Sequence, residues 1–455
     1  LLEAAQLAAV AVTEPAAVLV LDGIGEEHCG WLGHGDGGEL RCLEELPYPH
    51  SLGLLWERVA IYCGFGEYGA PKVMGLAAWG DAAKARDGLA ELLAVAADPG
   101  CPGDGRLPFT VDNEKAQLRA PNTQRLEARF GPARPFGVGD AELGRGHYAD
   151  VAAALQELTE EAVLACARRL HAGCGEQALV YSGGLALNCV ANTRLEAEGP
   201  FEALYVPGAA HDAGTAVGAA YEVARGLGSE VHGGGVRGGG EADTPFCGPG
   251  YEVSTYREAL ASAGLEAREL PFEELVGELV ALLCAGKLVG WFEGRLELGP
   301  RALGHRSLLG DPRKLATRQR FNAKVKHREP FRPFAASVLA EAAHEWFVLP
   351  QGRRGAVESR ELMIMAYRLA PGRGELIPAV RHEDGSCRIQ TVDRQRQPRY
   401  HRVIKAFGEA TGVPMLLNTS FNVREPIVCS PNDAVATFQR SGIDALVLGD
   451  LLVVR

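Results

Sequence analysis

Residues 297–332 hold ten lysines and arginines against three acids, in a chain whose net charge is −12. The stretch LELGPRALGHRSLLGDPR (296–313) places Arg301, Arg306 and Arg313 among Gly299, Pro300, Gly304 and Gly310. Those glycines and that proline argue against a helix. A guanidinium is a rigid fork of donors that matches phosphate or carboxylate, and glycine turns let backbone N–H groups face the same anion. An anion site is one reading, a solvated basic loop the other. KVKHREPFRPFAASVL (324–339) interleaves Lys324, Lys326, Arg328 and Arg332 with Phe331, Phe334 and two prolines. That pattern suits a pocket wall, or a surface on which bases stack. The acidity of the whole chain weighs against a broad nucleic-acid or anionic-membrane surface.

Three further strings could carry chemistry. MLLNTSFNVREPIVCSP (415–431) reads as strand, polar turn, strand, with Asn418, Thr419, Ser420 and Asn422 where the first strand ends. Ligands of α/β sheets gather at such ends, although Asn and Ser also make plain turns. LDGIGE (21–26) and YSGGLALN (181–188) each put two close glycines after a strand, which opens the backbone to phosphate. In VPGAAHDAGTAVGAA (206–220), Asp212 is either the cap of the following helix or a ligand to a metal or substrate.

The elements that must position these residues follow from the apolar pattern. Residues 16–26 read as a buried strand ending in a glycine turn, and 178–184 as another, with a helix opening directly off it. Residues 150–175 read as a long helix with Val151, Leu155, Leu158, Ala162 and Ala165 on one face and Gly173 and Gly175 at its end. After a glycine-rich linker come a helix (271–286), a strand (287–292), the arginine-rich segment, and a final helix–strand pair. This alternation indicates an α/β protein. A length of 455 residues favours two domains, set at 1–228 and 248–455 with the linker at 229–247. No apolar run is long enough to cross a membrane, and the first twelve residues do not make a signal peptide. Leu1 in place of Met suggests a chain that begins inside a longer parent, or one from which a leader has been removed. Eleven cysteines, an odd number without a C-x-x-C pair, suit free thiols in a cytoplasmic protein.

In their order and over nearly the whole chain, SLGLLWERVAIYCGF, PKVMGLAAWG, GGLALNCVANTRL, GPRALGHRSLLGDPR, REPFRPFAASVL and LLNTSFNVREPIVCSP resemble one family. It is that of the ATP-dependent O-carbamoyltransferases of nodulation-factor and antibiotic tailoring. The resemblance implies an actin/sugar-kinase-like (ASKHA) first domain, followed by a YrdC-like twisted α/β second domain. It implies that carbamoyl phosphate and ATP, with Mg2+, give carbamoyladenylate and pyrophosphate. A hydroxyl of a small-molecule acceptor then takes the carbamoyl group and AMP leaves. Neither nucleic acid nor membrane is an implied partner, and a homodimer is the expected assembly.

Carried onto this chain, the resemblance gives Arg301, Lys326, Arg328 and Arg332 to carbamoyl phosphate and ATP. It gives catalytic roles to Arg306, to Arg388 of CRIQTV, and to Asn418 and Ser420, which correspond to the S-x-N region of YrdC-like proteins. Gly23, Lys72, Gly183, Gly184 and Asn188 would hold the adenylate in the first domain. Asp22 and Asp212 would bind Fe2+ or another divalent ion. Glu3, nineteen residues before Asp22, stands where the family has a metal-binding His. His28 and His211 are candidates for the general base by position alone. Two other readings remain: a tRNA-modifying carbamoyl-adenylate enzyme, and an inactive nucleotide-binding remnant.

Overall fold

A computed structural model describes residues 15–37, 39–113, 123–136, 146–227, 244–350 and 356–455. Glu3, most of the expected linker 229–247 and much of 101–145 lie outside the described residues. The chain forms two compact units. One comprises Leu1–Asp243 with Pro350–Ser359, the other Thr244–Leu349 with Arg360–Arg455. Within the first unit, Ser359 Oγ accepts the Val206 N–H at 3.0 Å. Among the described residues, no helix is long and apolar enough to cross a membrane. All eleven cysteines are free.

The first unit is built on β1 (Ala16–Gly25), β2 (His28–Asp36) and β3 (Glu39–Pro47), an antiparallel set. A small ribbon of β4 (Leu93–Val95) and β5 (Phe109–Val111) lies apart from that sheet. β6 (Ala178–Ser182) and β7 (Ala203–Tyr205) run parallel to β1, giving the order β3-β2-β1-β6-β7. Six consecutive apolar residues, Ala16 to Leu21, are at most 1 % exposed. A run that does not alternate belongs to a strand covered on both faces, and β1 is the central strand.

Of the helices α1 (Leu52–Tyr62), α2 (Ala70–Ala77) and α3 (His147–Cys174), α1 and α3 pack on this sheet and α2 packs on those two helices. The expected apolar stripe of α3 is buried, but so are Gln156, Thr159 and Arg169. The helix is therefore internal rather than simply amphipathic. Its buried polar groups have partners, as burial requires: Thr159 Oγ1 accepts from Trp56 Nε1 at 2.9 Å, and Arg169 holds Glu44 through two bonds of 2.6 and 2.7 Å. Gly175, at φ 70°, ends it. After β6 the chain does not enter a helix at once. A 3-10 turn (Gly184–Leu187) intervenes, and Asn188 then caps α4 (Cys189–Glu198). α5 spans Thr215–Gly226.

The second unit carries β8 (Arg268–Glu269), β9 (Val289–Phe292), β10 (Arg306–Gly310), β11 (Ala335–Leu339) and β12 (Met365–Arg368). β13 (Ser386–Val392), β14 (Met415–Ser420), β15 (Ala445–Leu448) and β16 (Leu451–Val454) complete one sheet. Its order is β12-β13-β11-β14-β10-β9-β15-β16-β8. α6 (Phe272–Cys284), α7 (Leu315–Arg320), α8 (Pro398–Thr411) and α9 (Pro431–Arg440) connect the strands.

Two expectations change here. No second strand follows the polar turn after β14: Asn422 Nδ2 binds the Glu425 carbonyl at 2.6 Å, and Pro426 has no N–H for a ladder. The final strand is a hairpin of two, turning at Gly449 (φ 61°).

Gly183 sits at φ 92° with its missing Cβ only 2.1 Å from the Leu21 carbonyl oxygen, so β6 can meet β1 here only through glycine. Gly183→Ala is expected to destabilise the first unit by at least about 2 kcal/mol. Thermal denaturation followed by near-ultraviolet circular dichroism would read this as a lowered midpoint.

Candidate functional site

In the second unit the register puts side chains of one kind together. Ser307 of β10 faces Ser420 of β14, Ala335 of β11 faces Asn418, and Ser337 is beside Gln390 of β13. Side chains two residues apart on a strand share a face. Ser307, Ser337, Arg388, Gln390, Asn418 and Ser420 therefore lie on one face, a polar patch in an otherwise apolar sheet.

Asn418, Ser337 and Gln390 are fully buried and bind one another. Asn418 Nδ2 donates to Ser337 Oγ at 2.9 Å and Gln390 Oε1 at 3.2 Å, and Ser337 Oγ donates to Gln390 Oε1 at 2.6 Å. Their remaining donors reach the loop before β10: Asn418 Nδ2 to the Ala302 carbonyl at 3.1 Å, Gln390 Nε2 to that of Leu303 at 2.6 Å. The amide nitrogen of Asn418 is thus spent on the fold. Asn418 Oδ1 is buried and has no partner among the described residues.

The arginine-rich loop does not present its backbone to a ligand. The N–H groups of Leu303, His305 and Arg306 converge on Glu297 Oε1 at 2.7, 3.2 and 3.0 Å. The anion that the glycine turns hold is the chain's own carboxylate, a residue that sequence reasoning passed over. Its three arginines also part company. Arg313 pairs with Asp311 at 2.9 and 2.8 Å. Arg301 remains half-buried on the loop.

Arg306, expected to bind phosphate, begins β10 and is fully buried. Its guanidinium donates to the carbonyls of Glu293 (2.6 Å), Gly294 (3.1 Å) and Pro249 (3.3 Å), and lies 3.6 Å from the Phe292 ring centre. Its terminal nitrogens are engaged by backbone carbonyls, so Arg306 ties together the segments around it as a structural cation.

The remaining cations do gather. Lys326 Nζ, at the end of a π-helical turn (Phe321–Lys326), is held by Ser420 O and Oγ (2.6 and 3.1 Å) and Asn422 O and Oδ1 (2.9 and 2.7 Å). Ser420 Oγ also donates to Asn422 Oδ1 at 2.7 Å, so Asn422 joins Ser420 at Lys326, while Asn418 lies in the network of Ser337 and Gln390. Burial lowers the Lys326 pKa well below its ordinary value, and Arg328 and Arg332 lower it further. Burial pushes Arg328 down to about 9, with Arg332 and Arg388 adding to the effect. Arg332 is lowered by burial and by Arg388, against the opposing pull of Glu329. Like charges held together out of water are a cost that a bound polyanion removes.

Sequence reasoning also missed Arg318 and His382. Burial lowers the Arg318 pKa. His382 Nδ1 lies 3.1 Å from Ser386 Oγ, and Nε2 accepts the Arg388 backbone N–H at 3.3 Å. Such an acceptor must be unprotonated. Burial takes His382 down to about 4; Asp384 opposes the shift, and Arg388 and Arg318 reinforce it.

In the first unit, the ladder between β1 and β2 lapses between Leu21 and Gly25. This bulge takes Asp22 and Gly23 out of the sheet. Gly184 approaches so closely that a Cβ there would lie 2.8 Å from Asp22 Oδ1. Gly53, at the start of α1, presses on Gly23, with its Cβ position 2.6 Å from Gly23 Cα, and the α1 cap Ser51 donates to the Gly23 carbonyl. Asp22, Gly23, Gly183 and Gly184 therefore converge.

Asp212 opens a 3-10 turn (Asp212–Gly214) and is exposed, three residues before α5, so it is not that helix's cap. Burial raises the Asp22 pKa and the Asp212 charge adds to it, against a Gly23 N–H bond of 2.6 Å. Two carboxylates in this relation are a partial donor set for a hard divalent ion. No three His, Cys, Asp or Glu converge among the described residues.

Asn188 Nδ2 donates to Gln156 Oε1 at 3.0 Å, and its Oδ1 accepts from Gln156 Nε2 at 3.1 Å and from the Ala191 N–H at the start of α4, so its side chain is largely engaged by the fold. Lys72 sits on α2 with Nζ 5.5 Å from the Phe65 ring centre. His28 Nε2 lies 3.4 Å from Glu45, and the His211 carbonyl accepts from Gly214.

Residues 9–221 match the family described as Carbamoyltransferase N-terminus, and residues 280–455 the one described as Carbamoyltransferase C-terminus. The chain belongs to the carbamoyltransferase family. It is 37 % identical, over 97 % of its length, to an uncharacterized protein of Synechocystis, of which it spans 73 %. It is 35 % identical, again over 97 %, to the nodulation protein NolO of Bradyrhizobium diazoefficiens. The chain spans 75 % of NolO and 61 % of the related nodulation protein NolNO of Sinorhizobium fredii. A match of 33 % identity covers 60 % of this chain and 48 % of the 3'-hydroxymethylcephem-O-carbamoyltransferase of Amycolatopsis lactamdurans.

Two outcomes follow. Arg306→Ala is expected to cost about 3 kcal/mol of stability in the second unit, because it strips the donors from several buried carbonyls. A urea titration measures this, and an unchanged midpoint would contradict the structural role. For His382 the folded pKa lies below the unfolded one, so the unfolded chain binds the extra proton first as pH falls. Stability from this group is complete above about pH 6.5 and declines toward pH 4. Between pH 7 and 5 the wild type should lose about 2 kcal/mol more than His382→Gln, read from paired urea midpoints.

Proposed function

We propose that the second unit makes carbamoyladenylate from carbamoyl phosphate and ATP, and that the first unit transfers the carbamoyl group to a hydroxyl of a small-molecule acceptor. The observation that carries this reading is the gathering of Lys326, Arg328, Arg332 and Arg388 beside Ser420, in a chain of this family. Water hydrolyses carbamoyl phosphate to carbamate and phosphate, supplying one oxygen and protons. A carbamate oxygen attacks the α-phosphorus of ATP, and pyrophosphate leaves. Arginine forks suit the charge on the transferring oxygens, in a site where burial strengthens each interaction. Asn418 Oδ1, a buried acceptor without a partner among the described residues, suits the carbamoyl N–H.

We read the first unit as actin/sugar-kinase-like and the second as YrdC-like. The order β3-β2-β1-β6-β7, in which only β2 runs against the others, supports the former. The long mixed sheet with its polar, cation-lined face supports the latter. In the first unit the glycine-lined turn of Gly23, Gly183 and Gly184 would admit the adenylate phosphate to the backbone. Asp22 and Asp212 would hold a divalent cation, Fe2+ or a harder ion, which when bound would screen their repulsion and the phosphate charge. Mg2+ would accompany ATP. The acceptor hydroxyl attacks the carbamoyl carbon, and AMP departs with the C–O electrons.

The test needs no acceptor. Pyrophosphate release from ATP should depend on carbamoyl phosphate. Arg332→Met with Arg388→Met should lower kcat/KM for that release by about a hundredfold, while Asp212→Ala leaves it intact and impairs only transfer. Release that ignores carbamoyl phosphate, or a folded double variant at the wild-type rate, would overturn the reading.

A further inference from the structure

We infer that Glu297 is the positioning residue of the anion site, and that its carboxylate holds the loop carrying Arg301 in one place. This rests on the adenylating role proposed for the second unit. Most backbone groups of Ala302–Arg306 have side-chain or strand partners. The Ala302 carbonyl goes to Asn418, and that of Leu303 to Gln390. The Gly304 N–H goes to Ser307 Oγ at 2.9 Å and its carbonyl to Trp291 Nε1 at 2.7 Å. The His305 carbonyl accepts from Glu293 N, and that of Arg306 from Phe421 N, both at 3.0 Å. The N–H groups of Leu303, His305 and Arg306 all end on Glu297 Oε1. Gly304, at φ 98°, has Tyr400 where a Cβ would be, 2.3 Å from a ring carbon, so the loop has no slack on that side.

Glu297 and Asn418 grip one peptide group from its two ends, Leu303 N–H and Ala302 C=O. Arg301 is the next residue along. Its backbone is therefore fixed relative to β14, the strand that carries Ser420, and to β13, which carries Arg388. Glu297 is only 4 % exposed and reaches no solvent that could substitute for it. Its charge also offsets the burial of Arg306. The second carboxylate oxygen, Oε2, has no partner among the described residues. The grip is thus made by Oε1 alone, and one neutral acceptor of the same length can replace it.

The chemistry predicts a pattern that simple loss of stability does not give. Glu297→Ala leaves three convergent N–H donors around a space the size of a small carboxylate. The KM for carbamoyl phosphate in acceptor-free pyrophosphate release should rise about tenfold, with a smaller change in kcat. Added formate should bring that KM back, with formate on the wild type as the reference. Glu297→Gln, whose amide oxygen reaches the same donors, should stay within about threefold of the wild type. If Glu297→Ala does not fold, Glu297→Asp serves: it withdraws the acceptor by one methylene and should raise the same KM. A folded Glu297→Ala or Glu297→Asp with the wild-type KM overturns the inference, as does a raised KM in Glu297→Ala that formate leaves unchanged. Calorimetric binding of inorganic pyrophosphate to the same full-length variants is read whatever the turnover. A wild type that binds pyrophosphate but releases none sinks the adenylation reading alone. Equal affinity in wild type and Glu297→Ala sinks the positioning role alone.

Discussion

The second unit depends on one requirement: every polar group of the loop before β10 must be satisfied without water. A glycine-rich loop lying over a sheet has many backbone donors and acceptors and few apolar side chains to bury. The chain meets the requirement with side chains chosen for the purpose. Ser307, Gln390, Asn418 and Trp291 each take one backbone group, and Glu297 takes three. What looks in the sequence like a flexible basic loop is therefore rigid. Its rigidity lets the neighbouring cations be held close without a counter-charge for each.

Those cations divide by what they face. Arg306 and Arg313 sit in the same stretch as Arg301, yet carbonyls surround the first and Asp311 holds the second. Lys326 and Arg328 are held by neutral oxygens, Arg332 pairs with Glu329 at 3.5 Å, and the charges of Arg328, Arg332 and Arg388 act on one another. Their lowered pKa values, where these are resolved, have burial as the first cause and their neighbours after it. A guanidinium stays charged at neutral pH, so the arrangement stores repulsion rather than releasing protons. An incoming polyanion gains from that stored repulsion, which ties the packing of the sheet to the chemistry proposed for it.

The first unit solves a different problem, bringing backbones close. Gly23, Gly53, Gly183 and Gly184 have no Cβ where β1, α1 and β6 meet, and the bulge in β1 turns Asp22 out of its ladder. Burial pushes the thiols of Cys29 and Cys63 in this unit up to about 12, far from thiolate chemistry at neutral pH.

Much of the fold was legible before any coordinates. The unbroken apolar run at Ala16–Leu21 marks a central strand, the 3.6-residue stripe marks α3, and glycine marks where β6 stops, because local sterics and burial period alone decide these. The cations from Lys326 to Arg332 were legible as a group for the same reason: they are close in sequence. Partners distant in the chain were not. Whether an arginine meets carbonyls or an anion depends on register between strands, and β10 enters the sheet at Arg306. Whether Asn418 or Asn422 joins Ser420 depends on which side of the turn Lys326 approaches. Glu297 gave no signal at all, since an acid near arginines reads as an ordinary ion pair. The sequence by itself determined the elements, the family and the charge of the site. Tertiary structure decided which charged side chains are scaffold and which are free to bind, because that depends on what each one meets when water is excluded.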